Sequence, residues 1–366
     1  MKVCRTAFAA CVPLFLLMVS VPAQAQYLVR NLVSNQVDDH ASNVDPLLAN
    51  SWGLARGATS PWWVSDNLSG WATIYDGAGT PQGLRVLIPT AGDGPISPDG
   101  LNGPGSPTGI VSNESTDFQI QGQPANFIFA TLDGTISAWA FGVNKNRAII
   151  EMNNSASKAV YTGLAITKHS IAPNFLYAAD NANNRVDMFD GNFNFVKSFG
   201  DPSIPSNFSV FGIQIINDMV YVTYAGANGS AGGFIDVFKQ DGTDPKILIQ
   251  GPPLNQPWGM TLAPSNFGPL SNTLLVSNNA IDGTINGFNP KTGAFVGTIS
   301  SQPGRKISFN QTWAIAFGGG FSANGARNEL FVTAGPGKAG QNENVGIFAS
   351  IVFAPIPDQS NQGGQH

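Results

Sequence analysis

Six times along the chain an apolar segment opens on one short motif: Trp52-Gly53, Thr108-Gly109, Thr162-Gly163, Phe211-Gly212, Trp258-Gly259 and Trp313-Ala314. Each is followed by a loop, a second apolar segment ending in a polar cluster, and a third ending near Phe or Tyr before a Gly or Asp turn. The clearest copy runs through Thr162-Gly163-Leu164-Ala165-Ile166, Phe175-Leu176-Tyr177-Ala178-Ala179-Asp180-Asn181 and Asn184-Arg185-Val186-Asp187-Met188-Phe189-Asp190-Gly191. Anchoring on positions 53, 109, 163, 212, 259 and 314 gives steps of 56, 54, 49, 47 and 55 residues. Six units of this length, each with room for four strands, describe an all-β six-bladed β-propeller. The sixth unit ends at Val345 to Phe353 with room for three strands, and Gln26 to Ser34 is placed to supply the fourth and close the ring.

Composition agrees. The 366 residues include 42 Gly and 25 Pro with only 11 % charged side chains, which suits short strands and tight turns over long helices. Alternation in Ile136-Ser137-Ala138-Trp139-Ala140-Phe141 and Met219-Val220-Tyr221-Val222-Thr223-Tyr224 marks strands packed between neighbouring sheets.

Residues 1–25 read as an export signal: Lys2 and Arg5 precede an apolar run from Ala7 to Val21 that ends in Ala23-Gln24-Ala25. The propeller is then expected over 26–354, with a polar, disordered tail over 355–366. Cys4 and Cys11, the chain's 2 cysteines, leave with the signal, which excludes thiol catalysis, disulfides and Cys-ligated metals. Loss of Lys2 and Arg5 leaves 16 basic side chains against 23 acidic ones, with no basic tract. Nucleic acid and anionic membrane surfaces are therefore poor partners. A periplasmic or secreted monomer without a membrane span follows as the expectation.

The third repeat, through Gly163-Leu164-Ala165, Tyr177-Ala178-Ala179-Asp180 and Asn183-Asn184-Arg185-Val186-Asp187-Met188-Phe189, resembles the NHL repeat, a propeller blade unit. Over nearly the whole mature chain, Val44-Asp45-Pro46-Leu47-Leu48-Ala49-Asn50-Ser51-Trp52-Gly53-Leu54-Ala55 with Trp62-Trp63-Val64-Ser65-Asp66-Asn67 resembles an uncharacterised family of exported bacterial propellers. That resemblance implies fold and export, and no reaction.

In a propeller, inner-strand starts and the turns after second strands share one face around the channel. The repeats place Asn50, Trp52, Asp66, Asn67, Thr108, Asp133, Asp180, Asn181, Phe211, Tyr224, Trp258, Asn278, Asn279 and Trp313 there. This collar of aromatics, amides and a few carboxylates suggests a polar ligand, carbohydrate or peptide, held by ring stacking and amide hydrogen bonds. The structural readings stand beside it: Asp133-Gly134 and Asp282-Gly283 read as hairpin turns, Asp180-Asn181 as a strand cap, and the recurring Trp as packing. The alternative is a calcium-dependent hydrolase or lyase centred on Asp66 and Asp180, with Asn67, Asn181 and Asn278 adding oxygens. Six-bladed lactonases and esterases open their first inner strand on a glutamate, where this chain has Asn50-Ser51-Trp52-Gly53. Glu114 falls after an inner strand, on the opposite face. No histidine maps to the collar, and Gly318-Gly319-Gly320 opens no helix, so a Ser-His-Asp triad, a His-rich metal centre and a phosphate loop have no support. Catalytic residues stay unassigned. The partner classes are a small polar ligand, a glycan or an envelope protein, and the long Pro89–Pro107 loop is read as a lid or a decorated connection.

Overall fold

The first five repeats each fold as a four-stranded antiparallel sheet whose innermost strand carries the motif glycine, and the sixth, with Ala314 at that position, supplies three strands of its blade. The computed structural model describes residues 26–92, 103–169, 173–302, 304–335 and 345–354. The segment 1–25 expected to be an export signal, the expected tail 355–366 and most of the Pro89–Pro107 loop lie outside them. The first blade runs Ser51–Ala55, Trp62–Asp66, Trp71–Tyr75 and Val86–Leu87, from the channel outwards. Blades 2 to 5 repeat the order, with inner strands Pro107–Ser112, Tyr161–Ile166, Phe208–Ile216 and Pro257–Leu262. Each inner strand packs against the next, and Thr312–Phe317 of blade 6 returns to blade 1. The architecture is a six-bladed β-propeller.

Ring closure follows the strand count. Blade 6 is ordered Thr312–Phe317, Glu329–Ala334, Ile347–Ala354 and Gln26–Ser34, the last antiparallel to its neighbour with Gln26 opposite Ala354. One sheet thus joins both ends of the described chain. Tyr27, nearly fully buried, fastens this strand to blade 5: its hydroxyl donates to the Phe267 carbonyl at 2.7 Å and accepts from the Leu270 N–H at 3.2 Å. A second latch joins blades 6 and 1 through the fully buried Asn324. Its Oδ1 accepts from the Gly319 N–H, its Nδ2 donates to the Ala58 and Ser60 carbonyls, and its own carbonyl accepts from the Trp62 indole. The Gly318-Gly319-Gly320 run is part of this latch, because a Cβ on Gly319 would stand 2.6 Å from Asn324 Oδ1.

The motif glycines are sites of backbone contact between blades. A Cβ on Gly53 would lie 2.3 Å from the Thr108 carbonyl, on Gly109 2.3 Å from the Leu164 N, on Gly212 2.1 Å from the Trp258 carbonyl, and on Gly259 2.5 Å from the Trp313 carbonyl. Gly163 is looser, with its nearest neighbour at 3.2 Å. Between the blades, apolar side chains form separate clusters, such as Trp63, Phe127 and Trp139 between blades 1 and 2. Trp139 is buried as its alternation implies, whereas Phe141, one step beyond the strand, is exposed.

Two predictions follow. Gly212→Ala is expected to cost about 1–3 kcal/mol as backbone is forced apart, and Gly163→Ala to cost less, since its Cβ would stand 3.2 Å from its nearest neighbours, both read as urea midpoints. Tyr27→Phe leaves the buried Phe267 carbonyl without its donor and is expected to cost about 1–3 kcal/mol, read as a lowered Tm.

Candidate functional site

The residue before the motif glycine decides what fills the channel where the inner strands begin. In blades 1, 4, 5 and 6 it is aromatic. Trp52 and Trp313 stack with centroids 3.6 Å apart, Trp258 stands edge-on to both at 6.5 and 5.6 Å, and Phe211 tilts against Trp313 at 5.7 Å. The three indoles are 8 %, 3 % and 8 % exposed for Trp52, Trp313 and Trp258, so this end of the channel is closed by an aromatic plug. The Trp258 indole donates to the Thr162 carbonyl of blade 3 at 3.0 Å, and Trp313 donates to the Gly335 carbonyl. The sequence placed these rings at one mouth, and their stacking faces are occupied by one another.

A hydroxyl changes strand to make room for the plug. In blades 2 and 3, Thr108 and Thr162 replace the aromatic residue and donate to the Tyr161 and Phe211 carbonyls of the next blade, both at 2.7 Å. In blades 5 and 6 the same bond comes from the second strand, with Ser277 donating to the Trp313 carbonyl and Thr333 to the Trp52 carbonyl at 2.6 Å. The second-strand residues Ala130 and Ala179 of blades 2 and 3 stand where blades 4 to 6 carry Thr223, Ser277 and Thr333.

The polar collar residues tie second-strand ends to the entry of a neighbouring strand. Asn50 Nδ2 donates to Asn67 Oδ1 at 3.3 Å, and Asn67 Nδ2 to the Pro107 carbonyl at 3.1 Å. Asn181 Nδ2 donates to the Val210 carbonyl at 2.8 Å, Asn278 Nδ2 to the Pro253 carbonyl at 2.9 Å, and the Asn279 N–H to the Gln256 carbonyl at 2.7 Å. Asp180, fully buried, accepts from the Val160 N–H at 3.0 Å and from Asn183 Nδ2 at 2.6 Å. Asp66 accepts from Thr73 at 2.7 Å, and burial pushes its carboxyl well above the usual carboxylate range. Asp133 caps its turn by accepting from Thr131, Thr90 and the Ala91 N–H. These bonds outweigh burial and hold it below the ordinary value. Among the described residues no three His, Cys, Asp or Glu side chains converge as a metal site would need.

Tyr224 is fully buried, and burial with the nearby Asp236 raises its hydroxyl above the usual range. Asp236 itself is pushed up to about 7, first by burial and then by the neighbouring Asp201.

The open end lies opposite, where the inner strands finish. A cup of about 550 Å³ is lined by all six blades, and a smaller space of about 110 Å³ separates it from the plug. Two positions after each motif residue stand Ala55, Val111, Ala165, Gln214, Thr261 and Ala316, all lining the cup. Five of these are small, so the strands that block the channel at their start leave it wide at their end. The part-exposed Leu54, Ile215, Leu262 and Phe317 give the cup apolar patches in a lining that is on balance more polar than apolar, while Ile110 and Ile166 are buried in the clusters between blades. Polar groups stand at the rim. Lys168 Nζ contacts Glu114 at 2.9 Å and Ser112 Oγ at 2.8 Å. Arg56 Nε and Nη2 donate to the Phe317 carbonyl at 3.2 and 3.0 Å, Nη1 donates to the Gly57 carbonyl, and the guanidinium lies 5.4 Å over Trp62. Gln214, Asn217 and Asp218 line the blade 4 side and are exposed. The repeat map placed Glu114 on this face. It passed over Arg56, Lys168, Gln214 and Asp218, although Arg56 and Gln214 lie three and two residues beyond their motif glycines.

Against known proteins, no family model matches the chain. Three relatives are uncharacterised proteins of Acanthamoeba polyphaga mimivirus. Protein R640 is 33 % identical over 180 residues, 45 % of this chain and 33 % of its own length. Protein L690 is 29 % identical over 303 residues, covering 77 % of this chain and 76 % of its own. The chain thus spans about a third of the first relative and about three quarters of the second. These relatives are viral, where the Val44–Ala55 stretch resembles exported bacterial propellers. Among solved structures, a gluconolactonase from Xanthomonas campestris superposes with TM-score 0.54 at 11 % identity over 91 % of this chain and 92 % of its own. The soluble aldose sugar dehydrogenase of Escherichia coli gives 0.53 at 12 % identity over 90 % and 100 %. Virginiamycin B lyase from Staphylococcus aureus gives 0.52 at 11 % over 90 % and 100 %. Likeness at this identity establishes the propeller fold alone.

The raised Asp236 predicts a pH effect. An acid whose folded value of about 7 stands above its ordinary 3.8 binds a proton in the folded state that the unfolded chain has lost, so stability falls as pH rises through that window. Asp236→Asn is expected to gain stability over the wild type between pH 4 and pH 8, seen as urea midpoints that diverge with rising pH.

Proposed function

We propose that this chain is a ligand-binding propeller whose site is the cup at the open end of the channel, and that its ligand is a peptide segment presenting an apolar side chain. The observation that carries this reading is the asymmetry of the channel: aromatic rings close one end, and small residues from all six blades open the other. The cup is within the size range of small-ligand sites, and it offers the part-exposed Leu54, Ile215, Leu262 and Phe317 among polar groups. A carbohydrate site generally offers an aromatic face, and the indoles that could serve are stacked together in the plug. The same burial weighs against placing the ligand on the Asn50, Trp52, Trp258 and Trp313 side, and the separate anchoring of Asp66 and Asp180 weighs against calcium chemistry between them. The basic, apolar and small-residue order of Lys2 to Ala25 supports export, so the peptide would be met in the periplasm or outside the cell.

Two variants of the mature chain test the placement, with binding of acetylated, amidated peptides followed by calorimetry and glycans as the competing class. Thr261→Phe puts a ring into the cup and is expected to abolish peptide binding while Tm holds. Trp52→Ala empties part of the plug and is expected to cost about 3–5 kcal/mol of stability with peptide affinity unchanged. The opposite pattern, or glycan binding that survives Thr261→Phe, overturns the cup as the site.

A further inference from the structure

The charges around the cup are arranged across it. Lys168 and Glu114, from blades 3 and 2, face each other at 2.9 Å, and the Glu114 carboxylate also acts on the Arg56 guanidinium from beyond ion-pair distance. That leaves Arg56 on blade 1 and Asp218 on blade 4 as the other charged groups lining the cavity. In a ring where each inner strand packs only on its two neighbours, blades 1 and 4 stand diametrically opposite.

Neither group is in an ion pair among the described residues. The three hydrogen bonds of Arg56 go to the Phe317 and Gly57 carbonyls, so no carboxylate is within ion-pair distance among the described residues, and two of its five N–H donors remain. Asp218 is exposed and has no hydrogen-bond or ion-pair partner among the described residues. It sits in the Asn217-Asp218 turn with φ of 48° and 59°, a left-handed conformation that Asn and Asp adopt more readily than most residues, so the carboxylate is held at the rim by the hairpin. Gln214, also exposed and unpartnered, lines the cavity on the same blade.

We propose that the cup selects a peptide segment with opposite charges on the two sides of an apolar anchor, an acidic group toward Arg56 and a basic group toward Asp218. The inference rests on the cup being a peptide site. The anchor packs on the part-exposed Leu54, Ile215, Leu262 and Phe317, and the transverse field sets the direction in which the segment lies. The plug leaves the channel blind, so the charged flanks stay at the rim, where these two residues stand.

The test uses four acetylated, amidated, dye-labelled peptides with the cores Lys-Phe-Glu, Gln-Phe-Glu, Lys-Phe-Gln and Gln-Phe-Gln between glycines. Fluorescence anisotropy reads their affinity for the mature chain and for Asp218→Asn, a variant suited to the same turn. On the wild type, Lys-Phe-Glu is expected to bind tightest, with the lysine giving about fivefold, the upper end for an exposed ion pair. On Asp218→Asn the lysine is expected to give nothing while the glutamate keeps its effect, so the coupling belongs to this one pair. Raising the salt should shrink the charge preferences and leave the contribution of phenylalanine in place. Equal affinity for all four peptides overturns the dipole and leaves peptide binding standing. A lysine preference that survives Asp218→Asn also overturns it. Failure of every peptide to bind overturns the cup reading itself.

Discussion

Contact of backbone on backbone at the motif glycines sets the dimensions on which the rest of this propeller depends. Adjacent inner strands approach so closely at Gly53, Gly109, Gly212 and Gly259 that a methyl group would collide with the next blade's main chain. This fixes how far each blade stands from the axis, and so how wide the channel is. A channel of that width is filled at one level by four aromatic rings. Register shifts in every inner-to-second strand ladder lie at the same place, as the chain adjusts its pairing where it touches the neighbouring blade.

The aromatic plug and the hydroxyl bonds solve one packing problem in two ways. In blades 5 and 6, where the pre-glycine residue is Trp258 or Trp313, the hydroxyl that grips the next blade comes from the second strand, whereas Thr223 of blade 4 bonds Gly212 of its own blade and the buried Ser65 hydroxyl of blade 1 has no partner among the described residues. Where the second strand carries Ala130 or Ala179, the pre-glycine residue is Thr108 or Thr162 and supplies that bond itself. Six rings would overfill the channel, and six threonines would leave it open from end to end. Four rings and two threonines close it on one side, with the hydroxyl bond to the next blade present in blades 2, 3, 5 and 6.

Most of the fold was legible because a repeat imposes it. The motif spacing yields six blades, the missing fourth strand of the last repeat points to Gln26–Ser34, and the alternating segments mark strand faces. The site was less legible. A repeat map tells which residues share an end of the channel, and it correctly gathered Trp52, Trp258 and Trp313. It does not tell whether side chains of that size leave room between them, because this depends on the distance between opposing strands, which the glycine contacts set. The clue lay two residues beyond the motif, where Ala55, Ala165 and Ala316 are too small to meet across the axis. Likewise the collar amides looked like ligand donors, because Asn bonding a ligand and Asn bonding the next blade's carbonyl have the same sequence signature.

The channel's asymmetry also gives the two closures distinct roles. Tyr27 and the terminal strand pair the ends of the described chain on the outside of blade 6, whereas Asn324 ties blades 6 and 1 next to the cup, beneath the Arg56 guanidinium and Trp62. The joint between the first and last repeats is bridged by the run of chain from Gln26–Ser34 of blade 6 into Ser51–Ala55 of blade 1 and by the Asn324 and Arg56 hydrogen bonds. Because Arg56 spans that joint by donating to the Phe317 carbonyl of blade 6, its position at the cup rim and the integrity of the ring are one geometric condition. The plug spans the same joint, because Trp52 of blade 1 stacks on Trp313 of blade 6 at 3.6 Å and the Thr333 hydroxyl of blade 6 holds the Trp52 carbonyl, so a change at the joint reaches the cup rim and the plug together.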